Sequence, residues 1–290
     1  MNKRLKQDLI GWGYILPSFI VLITFIIAPI FMSVYFSFTD YNGINAPKFT
    51  GISNYTKMLN DQYIMISIKN TIYYTFITVP LQTIVSLGLA AIIASKFRNK
   101  FGEWVKSSLF VPVISSAILV GTLWTLLLST DNGVINNILG MFRIPNINWL
   151  GQRSTALLSV CIVAIWKNVG YFLVIFYAGL MNVPASYYEA ADVDGATKIQ
   201  QFLHITLPCV KPITYLVVTL GVIWSFQVFD VVYAMTQGGP GSATTTLVYT
   251  IYNAAFREYR MGYASAVAVL LVSLILLCNV IQKQLFKEKL

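Results

Sequence analysis

Charged residues divide this chain into long uncharged windows. Residues 9–39, 70–95, 107–130 and 261–282 carry no charge; 154–188 carries only Lys167, and 212–256 only Asp230. A helix crossing the bilayer core needs about 20 mostly apolar residues, and each window is long enough. The pattern predicts six spanning helices, near 11–37, 70–95, 107–129, 155–181, 212–235 and 262–283. Pro17, Pro29, Pro80, Pro112 and Gly170 fall inside these stretches, where a packed bundle tolerates them as bends. The short segments between the windows hold no soluble domain, low-complexity tract or repeat at the periods typical of solenoids.

Composition sharpens the picture. The 290 residues are 57% hydrophobic and 11% charged, against about 25% charged in a soluble domain. The expected class is an all-α integral membrane protein. The net charge of +9 does not point to nucleic acid, because the basic residues sit beside apolar runs. "MNKRLKQ" opens like a secretion signal, but the apolar run after it is too long, with no convincing cleavage site, so a retained helix is expected. Cys161, Cys209 and Cys278 are too few for a disulfide framework. His204 is the single histidine, and no metal-ligand cluster is visible.

Lys and Arg counts orient the spans. With the N-terminus inside, twelve of the twenty Lys and Arg residues fall on inner segments, seven on the longer outer ones, and Lys167 within a span. Both termini are then cytoplasmic, and so is the segment 182–211. That segment is far less oily than the windows on either side of it. In "YYEAADVDGATKIQQFLHITLP" (187–208), Glu189, Asp192 and Asp194 fall within six positions. Pro184 is suited to the first helical position. Tyr187, Tyr188 and Ala191 share one helix face and Glu189 and Asp192 another. Gly195 is placed as a helix stop, and Thr197 with Gln200 forms a capping box. Ile199, Phe202 and Leu203 supply a second apolar stripe before Pro208 and Pro212. The expected structure is a helix about 12 Å long at ~1.5 Å per residue, a glycine turn and a second short helix. Its bland role is to tidy a loop; its functional role is a knob for another protein's groove.

"EAADVDGATKIQQFLHITLP" resembles the EAA loop of ABC importer permeases, with Glu189, Ala190, Ala191, Gly195, Ile205, Leu207 and Pro208 on the matching positions. "IWKNVGYFLVIFYAGLMNVP" (165–184) and "FQVFDVVYAMTQGGPGSATTTLVYTIYNAAF" (226–256) resemble the MalF-like sugar branch of that family. The resemblance covers about 70–283. It implies a type I ABC importer permease architecture in a bacterial inner membrane: 1–69 as tail, first helix and outer loop, 70–283 as a five-helix core, and 284–290 as a cytoplasmic tail. It also implies that Tyr187, Tyr188, Glu189, Ala190, Ala191, Asp192 and Gly195 couple to a cytoplasmic ATPase. The implied partners are two ATPase chains, a second and different permease, a solute-binding protein outside and the lipid bilayer.

No G-x-x-x-x-G-K-[ST] loop is present, and "GGPGSATTT" (238–246) contains no lysine. No nucleophile–base constellation appears either. The expectation is a non-enzymatic subunit with no cofactor of its own, ATP and Mg²⁺ belonging to the ATPase chains. Polar groups inside spans are costly and mark pathways or pairings. Lys167, Asn168 and Tyr171 share a stripe; Trp224, Gln227 and Asp230 recur every three residues, with Ser225 beside them. These seven are the candidate path. Lys167 can instead pair with a carboxylate or carbonyl of the partner permease, and Trp166 and Trp224 can simply pack or belong to an interfacial belt. Asp230, about 27 Å beyond Pro212 on an unbroken helix, is expected near the outer surface, and 236–261 as a turn followed by a lateral helix. Two cargo classes stay open at this point: a neutral sugar or oligosaccharide, and an anionic solute such as a glycerophosphodiester or uronate oligosaccharide. A stand-alone secondary carrier or channel has no need of the 189–208 pattern, and a proton- or sodium-coupled carrier usually has acidic residues at mid-membrane.

Overall fold

A computed structural model describes residues 3–287; residues 1–2 and 288–290, the end of the expected cytoplasmic tail, lie outside the described residues. Its helices are α1 (Lys3–Leu22), a π-turn (Ile23–Ile27), α2 (Ala28–Ser37), α3 (Ser53–Leu59), α4 (Gln62–Lys96), α5 (Lys100–Ile114), α6 (Ala117–Leu127), α7 (Val134–Met141), α8 (Arg153–Met181), α9 (Ala185–Val193), α10 (Lys198–Gln201), a π-turn (Phe202–Thr206), α11 (Leu207–Cys209), α12 (Lys211–Phe226), α13 (Asp230–Met235), α14 (Leu247–Tyr252), a π-turn (Asn253–Arg257) and α15 (Met261–Lys287). Two short strands, β1 (Thr39–Asp40) and β2 (Lys48–Phe49), pair antiparallel.

Two compact units divide the chain. One holds the residues up to Asp61 together with Thr250–Val272. Within it α1, the π-turn and α2 form an apolar rod, and its most apolar window within Gly11–Ser37 has no residue buried by the chain. Such a surface suits lipid or another apolar partner. The end of α2 is tied down by Asn54, whose amide donates to Ser37 O and Thr39 O at 3.0 and 2.8 Å. The first turn of α15 is fastened where Gly262 N–H donates to Tyr41 O at 2.9 Å and Tyr263 Oη donates to Asp61 at 2.7 Å.

The other unit holds Gln62–Tyr249 and the residues from Ser273 on. Here α4 packs along α8 and α12, α5 along α8, and α6 against α13. Lipid tails are as apolar as leucine, so membrane helices associate through close fit and interhelical hydrogen bonds. Both devices are visible. Phe172, Leu173 and Phe176 are fully buried in a cluster with Ala90 and Val217. Ser86 donates to Val169 O at 3.0 Å, and Thr78 meets Ser225 at 3.1 Å. A Cβ on Gly221 would lie 2.7 Å from Gln82, and one on Gly170 would lie 2.0 Å from Leu109 O. Those glycines set how closely the helices approach.

Among the described residues, four helices are long and apolar enough to span alone: Gly11–Ser37, Gln62–Lys96, Arg153–Met181 and Met261–Phe286. Two bent pairs bring the number to six if each is one span. The window expected as one helix over 107–129 is broken: α5 and α6 meet at 99° across Ser115 and Ser116. Pro112 removes a helix donor just before the break, and Ser115 is extended. The helix expected over 212–235 ends at Phe226 and resumes as α13 at Asp230. A 68° bend also separates Lys198–Cys209 from α12, where Val210 leaves helical geometry and Pro212 starts α12. The helix expected to begin at 70 begins at Gln62, because Lys69 rides on its surface instead of ending it.

The lateral helix expected within 236–261 is α14 with its π-turn. The "GGPGSATTT" stretch before it is a tightly bonded turn, not an open loop. Gly238 and Gly241 take positive φ, and so do Gln237 and Ser242. Thr244 donates to Gly239 O at 2.8 Å, Thr245 to Gly238 O at 3.1 Å, and Thr246 to Val228 O at 3.0 Å. Asn70 on α4 donates to Ser242 O and Thr245 O, both at 2.9 Å.

Gly170→Ala should separate α8 from α5 and cost about 1–3 kcal/mol as overpacking. Gly88→Ala, with nothing within 4 Å of its new methyl, should be neutral. Thermal unfolding midpoints in detergent check this: a fall for Gly170→Ala alone is expected.

Candidate functional site

The first candidate is the segment from Pro184 to Val210. Pro184 is the N-cap of α9, one position earlier than the first-turn place expected for it. Asp194 is the C-cap and Gly195 follows at φ +75°. Ala196 N–H donates to Ala191 O at 2.9 Å and Gly195 N–H to Asp192 O at 3.1 Å, the paired bonds of a Schellman ending. Nothing lies within 4 Å of a Cβ built on Gly195, so the requirement for glycine is the backbone angle, not space. The capping box closes α10: Thr197 N–H donates to Gln200 at 2.7 Å, and Gln200 N–H to Thr197 Oγ1 at 3.3 Å.

The face assignments divide. Tyr187 points outward and is half exposed, whereas Tyr188 is half-buried and its hydroxyl meets Thr206 at 2.9 Å. Consecutive residues on a helix stand ~100° apart, so one tyrosine faces out and the next turns back toward the following helix. Ala191 is half-buried with Tyr188; Glu189 and Ala190 are exposed. Asp192 does not share Glu189's surroundings. Lys198 donates to it at 2.8 Å, and Gln201 donates to the same carboxylate. The apolar side chains left outside are Tyr187, Val193 at 88% exposure, Ile199 at 73% and Leu203. A short stiff knob thus exposes apolar groups and two acids, Glu189 and Asp194, besides the bonded Asp192.

The second candidate lies where the broken spans meet α8. Lys167 Nζ donates to Pro112 O at 3.3 Å and Val113 O at 3.2 Å. These carbonyls belong to the last turn of α5, where the helix can no longer satisfy them. Asp230 stands in the first turn of α13. The distance of Asp230 up an unbroken helix no longer applies, since α12 stops four residues before it. The same break interrupts the stripe expected for Trp224, Gln227 and Asp230. Tyr171 and Trp224 remain together, ring centroids 4.9 Å apart, and Trp124 meets Trp166 edge-on at 5.5 Å. Asn168 is half-buried; Trp224, Gln227 and Asp230 are exposed. Ser225 is buried on Thr78 of α4.

The sequence reading missed the partners of Asp192, Tyr188, Ser225 and Lys167. A lysine six residues beyond an aspartate, across a glycine stop, is the signal for the first. Pro112 followed by Ser115 and Ser116 is the signal for the break that Lys167 occupies.

The sequence matches, over residues 7–288, the family described as "Binding-protein-dependent transport system inner membrane component". The probable ABC transporter permease protein YurN of Bacillus subtilis is 32% identical over 285 residues, covering 97% of this chain and 97% of YurN. The sulfoquinovosyl glycerol transport system permease protein SmoG of Agrobacterium fabrum is 34% identical over 94% of this chain and 89% of SmoG. The trehalose/maltose transport system permease protein MalF of Thermococcus litoralis is 31% identical over 94% of this chain and 92% of MalF. Among solved structures, a chain of a bacterial ABC transporter involved in the import of the acidic polysaccharide alginate superposes with a TM-score of 0.86 at 21% identity, covering 99% of this chain and 98% of that one. The fold is therefore shared.

Hydrogen bonds from Lys198, then from Gln201, hold the Asp192 carboxyl below its ordinary range. A depressed acid contributes its tie above its unfolded value and loses it as pH falls through the lowered one. Amide exchange over 198–206 should therefore show no step between pH 7 and 5 beyond the intrinsic change, and Asp192→Asn should raise it severalfold at pH 7. Hydrogen-exchange mass spectrometry checks both.

Proposed function

The chain belongs to the binding-protein-dependent transport system inner membrane component family, and from that premise we propose that it is a permease subunit of an ATP-driven importer of sugars or oligosaccharides. It forms half of the translocation pathway and spans a bacterial cytoplasmic membrane six times, α5 with α6 counting as one span and α12 as another, with both termini inside. Residues 70–283 are its transport core, with 1–69 and 284–290 appended. Two cytoplasmic ATPase chains supply ATP and Mg²⁺ chemistry, a second and different permease completes the pathway, and an extracytoplasmic binding protein delivers the solute.

The observation that carries this reading is the knob over 182–211. Tyr187, Glu189, Ala190 and Gly195 form its outward part, and Tyr188, Ala191 and Asp192 hold it together from within. A glycine turn, a capping box, an ion pair and the Tyr188–Thr206 contact make it stiff. A stiff element passes on displacement that a floppy loop would absorb. It lies between α8 and α12, so closure of an ATPase dimer beneath it would move both helices, opening the pathway outward; hydrolysis would return it. Glu189, exposed and acidic, suits a charge-assisted bond to the ATPase cleft.

Asn168, Tyr171, Trp224 and Gln227 are assigned to the wall of the path, with Lys167, Ser225 and Asp230 shaping it from behind. Aromatic faces and amides are what a polyhydroxylated solute needs. The cation that would attract an anionic solute, Lys167, is held on backbone carbonyls, which favours an uncharged sugar. YurN, SmoG and MalF, alike over nearly their whole length, support the class.

Glu189→Lys should leave membrane insertion intact and reduce ATP-driven uptake to background. Gly195→Ala should lower uptake through a backbone strain of about 1–2 kcal/mol, and Gly195→Asn should retain more. The check is solute-stimulated ATP hydrolysis and uptake by the complex in liposomes, across binding proteins loaded with different sugars. Normal uptake in Glu189→Lys and Gly195→Ala, or transport by this chain without ATPase partners, contradicts the reading.

A further inference from the structure

The residues around Lys167 reach both arms of the broken third span. On the α5 side, Gly170 lets α8 touch the backbone at Leu109, and Lys106 Nζ of α5 lies 3.7 Å over the Tyr177 ring of α8. On the α6 side, Trp166 meets Trp124. Lys167 sits between these contacts, with its ammonium on the carbonyls of Pro112 and Val113. In a bilayer no water stands ready to satisfy such carbonyls, and each left open costs several kcal/mol. A cation at a helix C-terminus is also favoured by the helix dipole. The second break lies close by: α13 packs on α6, where a Cβ on Gly121 would lie 2.6 Å from Ala234, and it begins at Asp230.

We propose that Lys167 is a positioning residue that clamps the break between α5 and α6 to α8. α8 is one of the two helices that leave the cytoplasmic knob. Displacement of the knob therefore arrives at this break through α8, and Lys167 is the point that makes the two arms of the third span follow α8 together. Its charge serves the machine and not the cargo. This rests on the permease reading above, so the test carries one readout that depends on transport and one that does not.

The experiment uses the assembled complex in liposomes with Lys167→Met, Lys167→Arg and Lys167→Gln. Lys167→Met should lower the maximal uptake rate ~10-fold or more with KM for the solute changed by less than about twofold, the signature of a lost step and not of lost binding. Lys167→Arg, which keeps charge and donors, should retain most of the rate. Independently of transport, spin labels at Ser107 on α5 and Thr122 on α6 should give a narrow distance distribution in the parent and in Lys167→Arg, and a broad one in Lys167→Met. If Lys167→Met does not insert, Lys167→Gln, with one amide donor left, should show an intermediate broadening. A raised KM at unchanged maximal rate would make Lys167 a solute contact and overturn the proposal, as would an unchanged distance distribution in Lys167→Met or Lys167→Gln. Loss of ATP-driven uptake in the parent complex would strike the permease reading alone, with the spin-label distances still deciding the clamp.

Discussion

Everything in the bundle depends on one constraint: backbone N–H and C=O groups inside a bilayer need partners from the protein itself. A continuous helix meets it automatically. A span that breaks has to meet it again with side chains or neighbouring backbone. The chain breaks at Ser115–Ser116, at Gln227–Phe229 and around Val210, and the polar side chains of its apolar stretches gather near those places. Lys167 takes the open carbonyls of α5. Asn70 and three consecutive threonines satisfy the turn over 237–246. Straight helices such as α8 are the frame on which the broken ones are hung.

The breaks divide the spans into shorter rods, and under the proposed function the segment over 184–210 is where a partner pushes. α9 and α10 are too short to be stable as isolated helices. They hold because Gly195 ends one cleanly, the Thr197–Gln200 box starts the other, and Asp192 joins them through Lys198 and Gln201. With those residues bonded to one another, Tyr187, Glu189, Val193 and Ile199 are left exposed. Pathway and knob are linked by α8 and α12 alone along the chain, so stiffness in the knob and firm attachment at the breaks are two halves of one transmission.

Much of this was legible in the sequence. Uncharged windows overlap all four helices long enough to span alone and both bent pairs, because charge in hydrocarbon is expensive enough to leave a clear gap. The knob could be read almost residue by residue, since glycine stops and capping boxes are local chemistry. What stayed hidden was non-local. An apolar run looks the same whether its helix is straight or broken, so the 99° bend at Ser115 and the restart at Asp230 left only Pro112, two serines and "SFQVFD" as traces. Helical spacing put Glu189 and Asp192 on one face but could not say that Lys198 would fold back onto only one of them. The stripe of Trp224, Gln227 and Asp230 assumed a helix that does not continue, and Ser225, taken with it, turns to Thr78 instead. Lys167 was recognised as costly where it sits; that its partners would be two carbonyls of its own chain followed only once the break was seen.

The central claim is that the outward face of the knob is the contact with a cytoplasmic ATPase. A photo-crosslinking phenylalanine placed at Tyr187 in the assembled complex tests it most directly, with Tyr63, exposed at the start of α4, as the control position. Irradiation should join this chain to the ATPase subunit from position 187 and not from position 63. An intact complex that gives no ATPase adduct from 187, or gives it equally from 63, would contradict the account.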